Sequence, residues 1–367
     1  MKNYCIMHLE RRVATVRGDG SCTVYFPGFM PYGLYLNTAE DDIAARVGNL
    51  DNFIHWCASR VLTLDRKFAK EILNSLGFRQ AVTDRDRAQI ALSYHCVSLA
   101  DVFWVRETGE KLRFSDINLY QHSLSDAFVD VSLFGRQLTA QNAELLAKND
   151  SAGDVATPGL APKAWIRRDG VFWLLKDGDE KEVRAELLAS RVARCFKVPQ
   201  VLYEPMTFQG VPVSACRMMT SLQTGIVPAE SVEIYAANHD TTLHEIVKKR
   251  DAYGYHMMNI VDYLTGNTDR HWGNWGFCTD NRTNRLLKLH PLMDFNKAFN
   301  AYDTLEGVRC QTAPGCPSQL QAALDGVRAV GLNRIAPADP GWFSDTAQRE
   351  MFEARLALLT KAEEKHS

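Results

Sequence analysis

The residues best suited to chemistry lie in Gly266-Asn267-Thr268-Asp269-Arg270-His271-Trp272-Gly273-Asn274 and, twenty positions after Asn274, in Asp294-Phe295-Asn296. An Asp five positions ahead of an Asn, with a second Asp beyond an intervening strand–turn–strand, supplies the groups that phosphoryl transfer from a nucleotide requires. One carboxylate accepts or orients a hydroxyl proton, while an amide oxygen and the second carboxylate hold magnesium on the phosphates. That chemistry is mostly positioning and charge neutralisation, so a few rigidly held side chains suffice. Asp269 is the candidate proton acceptor, in a loop directly after a strongly apolar helical stretch. Asn274 and Asp294 are the candidate magnesium ligands, since a neutral amide oxygen and a carboxylate are donors that a hard cation takes. Singly, each has a plainer explanation: Thr-Asp pairs cap turns, and an Asp before Phe295 suits an exposed turn. Their joint spacing favours the chemical reading.

Lys176 ends the most hydrophobic strand-like run of the middle region, Val171-Phe172-Trp173-Leu174-Leu175-Lys176. A lysine there is costly unless a carboxylate or phosphate pairs with it. A lysine on the nucleotide phosphates, steadied by a helix glutamate, fits that demand. Glu186 is the expected partner, Glu182 one turn earlier competes with it, and an edge lysine snorkelling to water is the plain alternative. The Gly- and Pro-containing stretch Thr157-Pro158-Gly159-Leu160-Ala161-Pro162-Lys163 suits a turn whose N–H groups face phosphates, with Gly159 and Lys163 as contacts. An interdomain linker explains it equally well. Met218 and Met219, after the strand ending in Cys216-Arg217, are candidates to line an adenine face, with core packing as readily the reason. His271 is expected to brace its loop rather than ligate zinc, since no second His or Cys stands at ligand spacing. His290, Trp272 and Trp275 read as structural.

The elements that must position these groups are legible in outline. Arg12–Val16 and Cys22–Phe26 flank Gly18-Asp19-Gly20, a hairpin signal. Helical patterns follow over Asp41–Val61, Asp65–Leu76 and Asp84–Tyr94, the last capped by Thr83-Asp84. Ser98–Val105 reads as a buried strand, and the segment from Arg106 to about Asp154 has no assignable pattern. Ala164–Arg167 and Val171–Lys176 form a second hairpin turned at Arg168-Asp169-Gly170. An amphipathic helix over Glu180–Phe196 comes next, then strands at Gln200–Glu204, Thr207-Phe208 and Val211–Met219 across Gln209-Gly210. Beyond Thr241 the pattern is helical, and Tyr253–Leu264 runs into the Asp269 loop. Expected domains are 1–150, of mixed strands and helices; 151–225, an antiparallel sheet with one helix; and 226–367, mainly helical.

At 367 residues, with 46% hydrophobic and 23% charged residues, the chain is of ordinary globular composition. It has no window resembling a membrane span, and Met1–Glu10 has too short an apolar run for a secretory signal. A cytoplasmic location is the expectation. The net charge of −2 and the lack of a basic block speak against direct nucleic-acid binding. Nine scattered cysteines without a Cys-x-x-Cys pair read as free thiols.

Together, Gly266–Asn274 and Pro291-Leu292-Met293-Asp294-Phe295-Asn296 resemble the HipA-like serine/threonine kinases. Asp-Arg-His-x-x-Asn followed by Asp-Phe also resembles the structurally akin phosphatidylinositol kinases. Gly159-Leu160-Ala161-Pro162-Lys163 is similar to the Gly-x-x-Pro-Lys phosphate loop of HipA-like proteins. The resemblance covers residues of about 155 to 300. It implies an α+β, bilobal protein-kinase-like (HipA-like) fold with an additional N-terminal α/β subdomain. It also implies ATP and Mg²⁺ as cofactors and a protein Ser or Thr hydroxyl as acceptor. Carried over, Asp269 is the catalytic base, Asn274 and Asp294 are magnesium ligands and Lys176 is the ATP lysine, while Ser151 and Thr157 are candidate autophosphorylation positions. Two departures stand out: Arg270 replaces a small residue of HipA itself, and Asn296 replaces the glycine of Asp-Phe-Gly. Residues 1–150 do not resemble the N-terminal subdomain of HipA proper, and this leaves membership of a toxin–antitoxin pair open. They are instead a candidate surface for a protein partner. The alternatives are a lipid or small-molecule kinase, which the lack of a basic membrane-facing run disfavours, and a catalytically silent nucleotide-binding module.

Overall fold

The computed structural model describes residues 2–39, 42–76, 83–122, 124, 126–136, 161–176, 180–313 and 315–365. Gly159, Ser151, Thr157 and the expected boundary at 150/151 lie outside them.

The chain opens with β1 (Tyr4–His8), β2 (Arg11–Val16) and β3 (Cys22–Val24), followed by helices α1 (Ile43–Ala58), α2 (Ala69–Ser75) and α3 (Asp84–Ser93). Strand β4 (Phe103–Glu107) returns beside β1, giving an antiparallel sheet in the order β3-β2-β1-β4. The period of two along each strand sorts its side chains. Ile6, Phe103 and Val105 pack against the helices, whereas Cys5, Met7 and Trp104 fill a second core on the other face. Thr83 and Asp86 form a reciprocal capping box at the start of α3. Of the expected strand over Ser98–Val105 only Phe103–Val105 is in a sheet, where the strand runs on to Glu107; Ser98–Asp101 forms a loop. In the described part of the segment without an assignable pattern lie α4 (Phe114–Ile117) and α5 (Asp126–Phe134).

The middle region contains β5 (Lys163–Arg168), β6 (Val171–Lys176), α6 (Glu180–Ala193), β7 (Tyr203–Phe208) and β8 (Val211–Arg217), with sheet order β5-β6-β8-β7. Both hairpins turn on a pair with positive φ, Asp169-Gly170 (52° and 77°) and Gln209-Gly210 (48° and 81°). That geometry matches the twist of the strands they join. The register pairs Lys163 with Lys176, Leu174 with Cys216, and Tyr203 with Cys216. Alternation therefore sends Lys163, Leu174, Lys176, Cys216 and Tyr203 to one face. On the other, Ala164, Leu175, Val213 and Ala215 make a core with Val129 and Leu133 of α5. Gln200, expected to open a strand, makes only an isolated bridge to Leu292.

The remainder comprises β9 (Thr224–Pro228), α7 (Ala229–Ala237), α8 (Leu243–Thr265), β10 (Gly276–Asp280), β11 (Arg285–Leu289), α9 (Gln319–Val330) and α10 (Thr346–Glu364), with β11-β10-β9 as a three-stranded sheet. Helix α8 is the spine of this lobe. A Thr242–Glu245 capping box starts it, it kinks at Asp251, and from Met257 to Thr265 every residue is buried. Each large apolar side chain so buried contributes about 1.5–3 kcal/mol. Gly266, at φ 57°, ends the helix in a left-handed cap, and a Cβ there would meet the Tyr302 ring at 2.3 Å. The chain thus leaves α8 in a fixed direction, straight into the Asp269 loop. Among the described residues no helix is long and apolar enough to cross a membrane, and all nine cysteines are free.

Candidate active site

The pleat of β6 ends by pointing Lys176 into a cleft between the middle sheet and the α8 lobe. Its Nζ donates to Glu186 Oε1 at 2.6 Å and to Asp294 Oδ1 at 2.9 Å, and lies 3.4 Å from the Tyr203 hydroxyl. The Glu186 side chain is only 2% exposed, so without a cation it would be a costly buried anion. Its second oxygen accepts from Ser214 Oγ at 2.6 Å, which fixes the carboxylate on the helix side of the cleft. Burial by itself would lower the Lys176 pKa, but the carboxylates of Asp294 and Glu186 outweigh it and hold the ammonium firmly protonated. Glu182, the competing partner, pairs instead with Lys297 across the cleft.

Asp294 stands at φ 59°, a left-handed conformation that Asp tolerates, and its N–H donates to the Tyr203 hydroxyl at 3.1 Å. Burial pushes its pKa up, yet Lys176 and Lys163 outweigh that and keep it well below the usual carboxylate range. Lys163, opposite Lys176 in the sheet, is buried to 4% exposure and pushed down to about 8 by desolvation, against the attraction of Asp294. Two lysines side by side, one poorly compensated, form a cradle suited to a polyanion.

The Asp269 loop is fastened by Arg270, a fully enclosed side chain. Its Nε and Nη2 donate to Asp262 of α8 at 2.8 and 2.9 Å, and its Nη1 donates to the carbonyls of Asn274 (2.8 Å) and Met293 (2.5 Å). One guanidinium therefore sets helix, loop and the residue before Asp294 in a common frame. Asn267 adds a bond to Asp262, and Asn274 Nδ2 donates to the Asp269 carbonyl at 2.8 Å. That bond leaves the amide oxygen of Asn274 as an acceptor within the cavity. Asp269 remains part-exposed, 3.9 Å from His271 Nε2, and burial raises its pKa while His271 opposes the rise. His271 Nδ1 also accepts from Gly273 N–H at 3.0 Å, the bracing role expected of it.

Lys163, Lys176, Met219, Asn274 and Asp294 line one cavity of about 120 Å³, joined by Tyr203, Trp165, Ile226 and the Ser98–Ala100 loop. Three other expected site residues are not in the lining: Glu186 meets it through Lys176, Asp269 lies on the loop that leads to Asn274, and Met218 packs on the core around Trp104 and Phe114. Strand β8 ends at Arg217, so alternation no longer decides which methionine faces the cleft. The Ser98–Ala100 wall carried no sequence signal. It is held by Thr220 Oγ1 donating to Leu99 O (2.5 Å) and Ile226 N–H donating to Ala100 O (2.8 Å). Asp262 did leave a signal, as the one acid within Met257–Leu264, a helical run otherwise apolar except for Asn259. Tyr203 left none. A larger groove of about 620 Å³ lies outside the cleft between α6 and α10, but it contains none of the converging acids and lysines.

The donors fit a magnesium ion: one carboxylate and one free amide oxygen, both hard. Among the described residues no three His, Cys, Asp or Glu side chains converge as a self-sufficient metal site. A cation on Asp294 and Asn274 would thus complete its octahedron with phosphate and water. The cavity is below the roughly 300 Å³ of small ligand pockets, and both members of the Lys176–Asp294 pair line it.

No protein-family model matches the chain, and neither does any curated protein sequence. Among solved structures it is similar to a chain of the Shewanella oneidensis MR-1 toxin–antitoxin complex of HipA, HipB and operator DNA. The TM-score is 0.53 at 11% identity, over 98% of this chain and 99% of that one. It is also similar to the Helicobacter pylori proinflammatory kinase CtkA, with a TM-score of 0.43 and 14% identity over 59% of this chain and 94% of that one. The first likeness runs the whole length of the chain and gives it the α+β, HipA-like fold expected from its motifs.

Proposed function

We propose that the chain, built on this fold, is an ATP- and Mg²⁺-dependent serine/threonine protein kinase of the HipA-like family. The observation that carries the reading is Lys176 bridging Glu186 and Asp294 in the cleft that also receives Asn274 and the Asp269 loop. Lys176 and Lys163 would draw the nucleotide phosphates, and Asn274 and Asp294 would hold magnesium. Bound magnesium neutralises charge developing on the phosphates. Asp269, open to solvent on one side, would orient the acceptor hydroxyl and take its proton. A carboxylate raised by burial is a better proton acceptor than a free one, while Asp294, held ionised, keeps its affinity for a cation. A cytoplasmic protein substrate is part of the proposal, as is a partner-binding role for residues 1–150.

The test is intact-mass spectrometry of the protein after incubation with Mg²⁺ and ATP, alone and with a generic protein acceptor, beside Asp269→Ala. Phosphate added by the wild type and not by Asp269→Ala supports the reading. Incorporation that survives Asp269→Ala sinks the assignment of the base. No incorporation, together with stabilisation by Mg²⁺-ATP, would redirect the reading to a nucleotide-binding module.

A further inference from the structure

Most of the buried polar groups around the cleft have a place in the kinase reading; the hydroxyl of Tyr203 does not. It stands on β7, in the sheet opposite the lobe that carries Asp294, and its residue is only 9% exposed. The hydroxyl accepts the Asp294 backbone N–H at 3.1 Å and lies 3.4 Å from Lys176 Nζ, whose ammonium sits 5.0 Å from the centre of the same ring. One side chain thus touches both members of the Lys176–Asp294 pair, and it meets Asp294 through the main chain. That main chain is left-handed at φ 59°, a conformation that costs a non-glycine residue energy unless its surroundings hold it.

We propose that Tyr203 is a positioning residue for the metal-binding loop. Its hydroxyl pins the Asp294 backbone to the small-lobe sheet, so that Asp294 exchanges Lys176 for a cation by turning its side chain alone. The proposal rests on the kinase reading and adds to it a device for keeping the loop in place while its ion pair opens. When phosphates draw Lys176 away, the Asp294 carboxylate loses its partner, but the N–H···O bond to Tyr203 persists. The metal ligand then needs no backbone rearrangement and costs less entropy to order. Without the hydroxyl, the Asp294 N–H is a buried donor lacking an acceptor, and the left-handed turn is free to relax.

Two measurements on the ligand-free and ATP-bound protein test this. In wild type, amide exchange of the peptide containing Asp294 is expected to be slow, and Tyr203→Phe, which keeps the ring and removes one oxygen, is expected to speed it about tenfold. Fast exchange in the wild type itself would overturn the proposal whatever the variant does. Calorimetric titration of ATP with and without Mg²⁺ supplies the second readout. Tyr203→Phe is expected to lose about tenfold of the Mg²⁺-dependent gain in affinity, with metal-free ATP binding changed less than twofold. Equal loss in both titrations would mark a merely structural role and overturn it. Asp294→Asn separates the two levels of inference. If that variant keeps the full Mg²⁺ gain, the metal site itself is refuted and the Tyr203 proposal falls with it. If Asp294→Asn loses the gain and Tyr203→Phe does not, only the Tyr203 proposal fails.

Discussion

Replacing Lys176 with Met separates the electrostatics of the cleft from any question of activity. The substitution keeps a long apolar stem and deletes the charge that now serves Glu186 at 2.6 Å and Asp294 at 2.9 Å. Their side chains are 2% and 16% exposed, so water replaces little of what is lost. Breaking a buried pair by removing one partner costs about 3–5 kcal/mol. At an unfolding entropy of about 2 cal/mol/K per residue, that lowers Tm by about 4–7 °C for a cooperative unit of this length. The pH dependence identifies the cause. In wild type the Asp294 pKa is depressed, so its contribution to stability is present above the unfolded carboxylate value and is lost only as pH falls through the folded one. In Lys176→Met only Lys163 and Arg270 still oppose burial, so Asp294 takes up a proton more readily on acidification and the variant regains stability. Differential scanning calorimetry at pH 7.5 and pH 5 should therefore show a deficit that shrinks toward acid. An equal Tm at pH 7.5, or a deficit that grows on acidification, would refute the argument that Lys176 neutralises two buried anions.

Glu186 and Glu182, both on α6, should respond to substitution by different amounts. Glu186→Gln loses about 2–4 kcal/mol by thermal denaturation, while Glu182→Gln, whose pair with Lys297 is 22% and 38% exposed, changes stability by less than about 1 kcal/mol. Similar losses from both would mean that burial does not distinguish them. The acid limb of kcat/KM should lie above the ordinary Asp value, because burial raises Asp269, and His271→Gln should move it higher still by removing the opposing charge; a pH–rate profile unchanged by that variant excludes the coupling. Arg270→Gln is expected to cost about 3–5 kcal/mol by stranding Asp262. The double variant with Asp262→Asn should recover part of this in a double-mutant cycle, and strict additivity would show that the pair is not coupled.

The features readable in the sequence are those fixed by spacing along the chain. Lys176 and Glu186 are ten residues apart on a strand and the helix that follows it, and Asp269 and Asn274 share one loop, so local geometry nearly determines their meeting. The hairpins at Asp169-Gly170 and Gln209-Gly210 were legible because only a few residue types accept their backbone. Contacts made across lobes were not. Tyr203 and Asp294 are ninety-one residues apart, and Leu99 meets Thr220 over a separation of 121. Nothing local to Tyr203 or to Ser98–Ala100 announces the partner. Strand β9 escaped notice because Thr224-Gly225-Ile226-Val227-Pro228 includes a glycine and a proline, which weaken a strand signal, and its extended form is set by pairing with β10. Met218 was misread where the pleat ends, since a period of two carries no information past the last paired residue.

The enclosure of Arg270 has a consequence for how the protein can be governed. Kinase loops are commonly ordered when a phosphorylated side chain arrives to pair with arginines. Arg270, next to the catalytic candidate, already has its anion in Asp262, a buried residue of helix α8. The N–H groups of its Nη1 are spent on main-chain carbonyls at both ends of the site. The ion pair that orders this loop is therefore supplied by the fold itself, with no arriving phosphate needed to provide the anion.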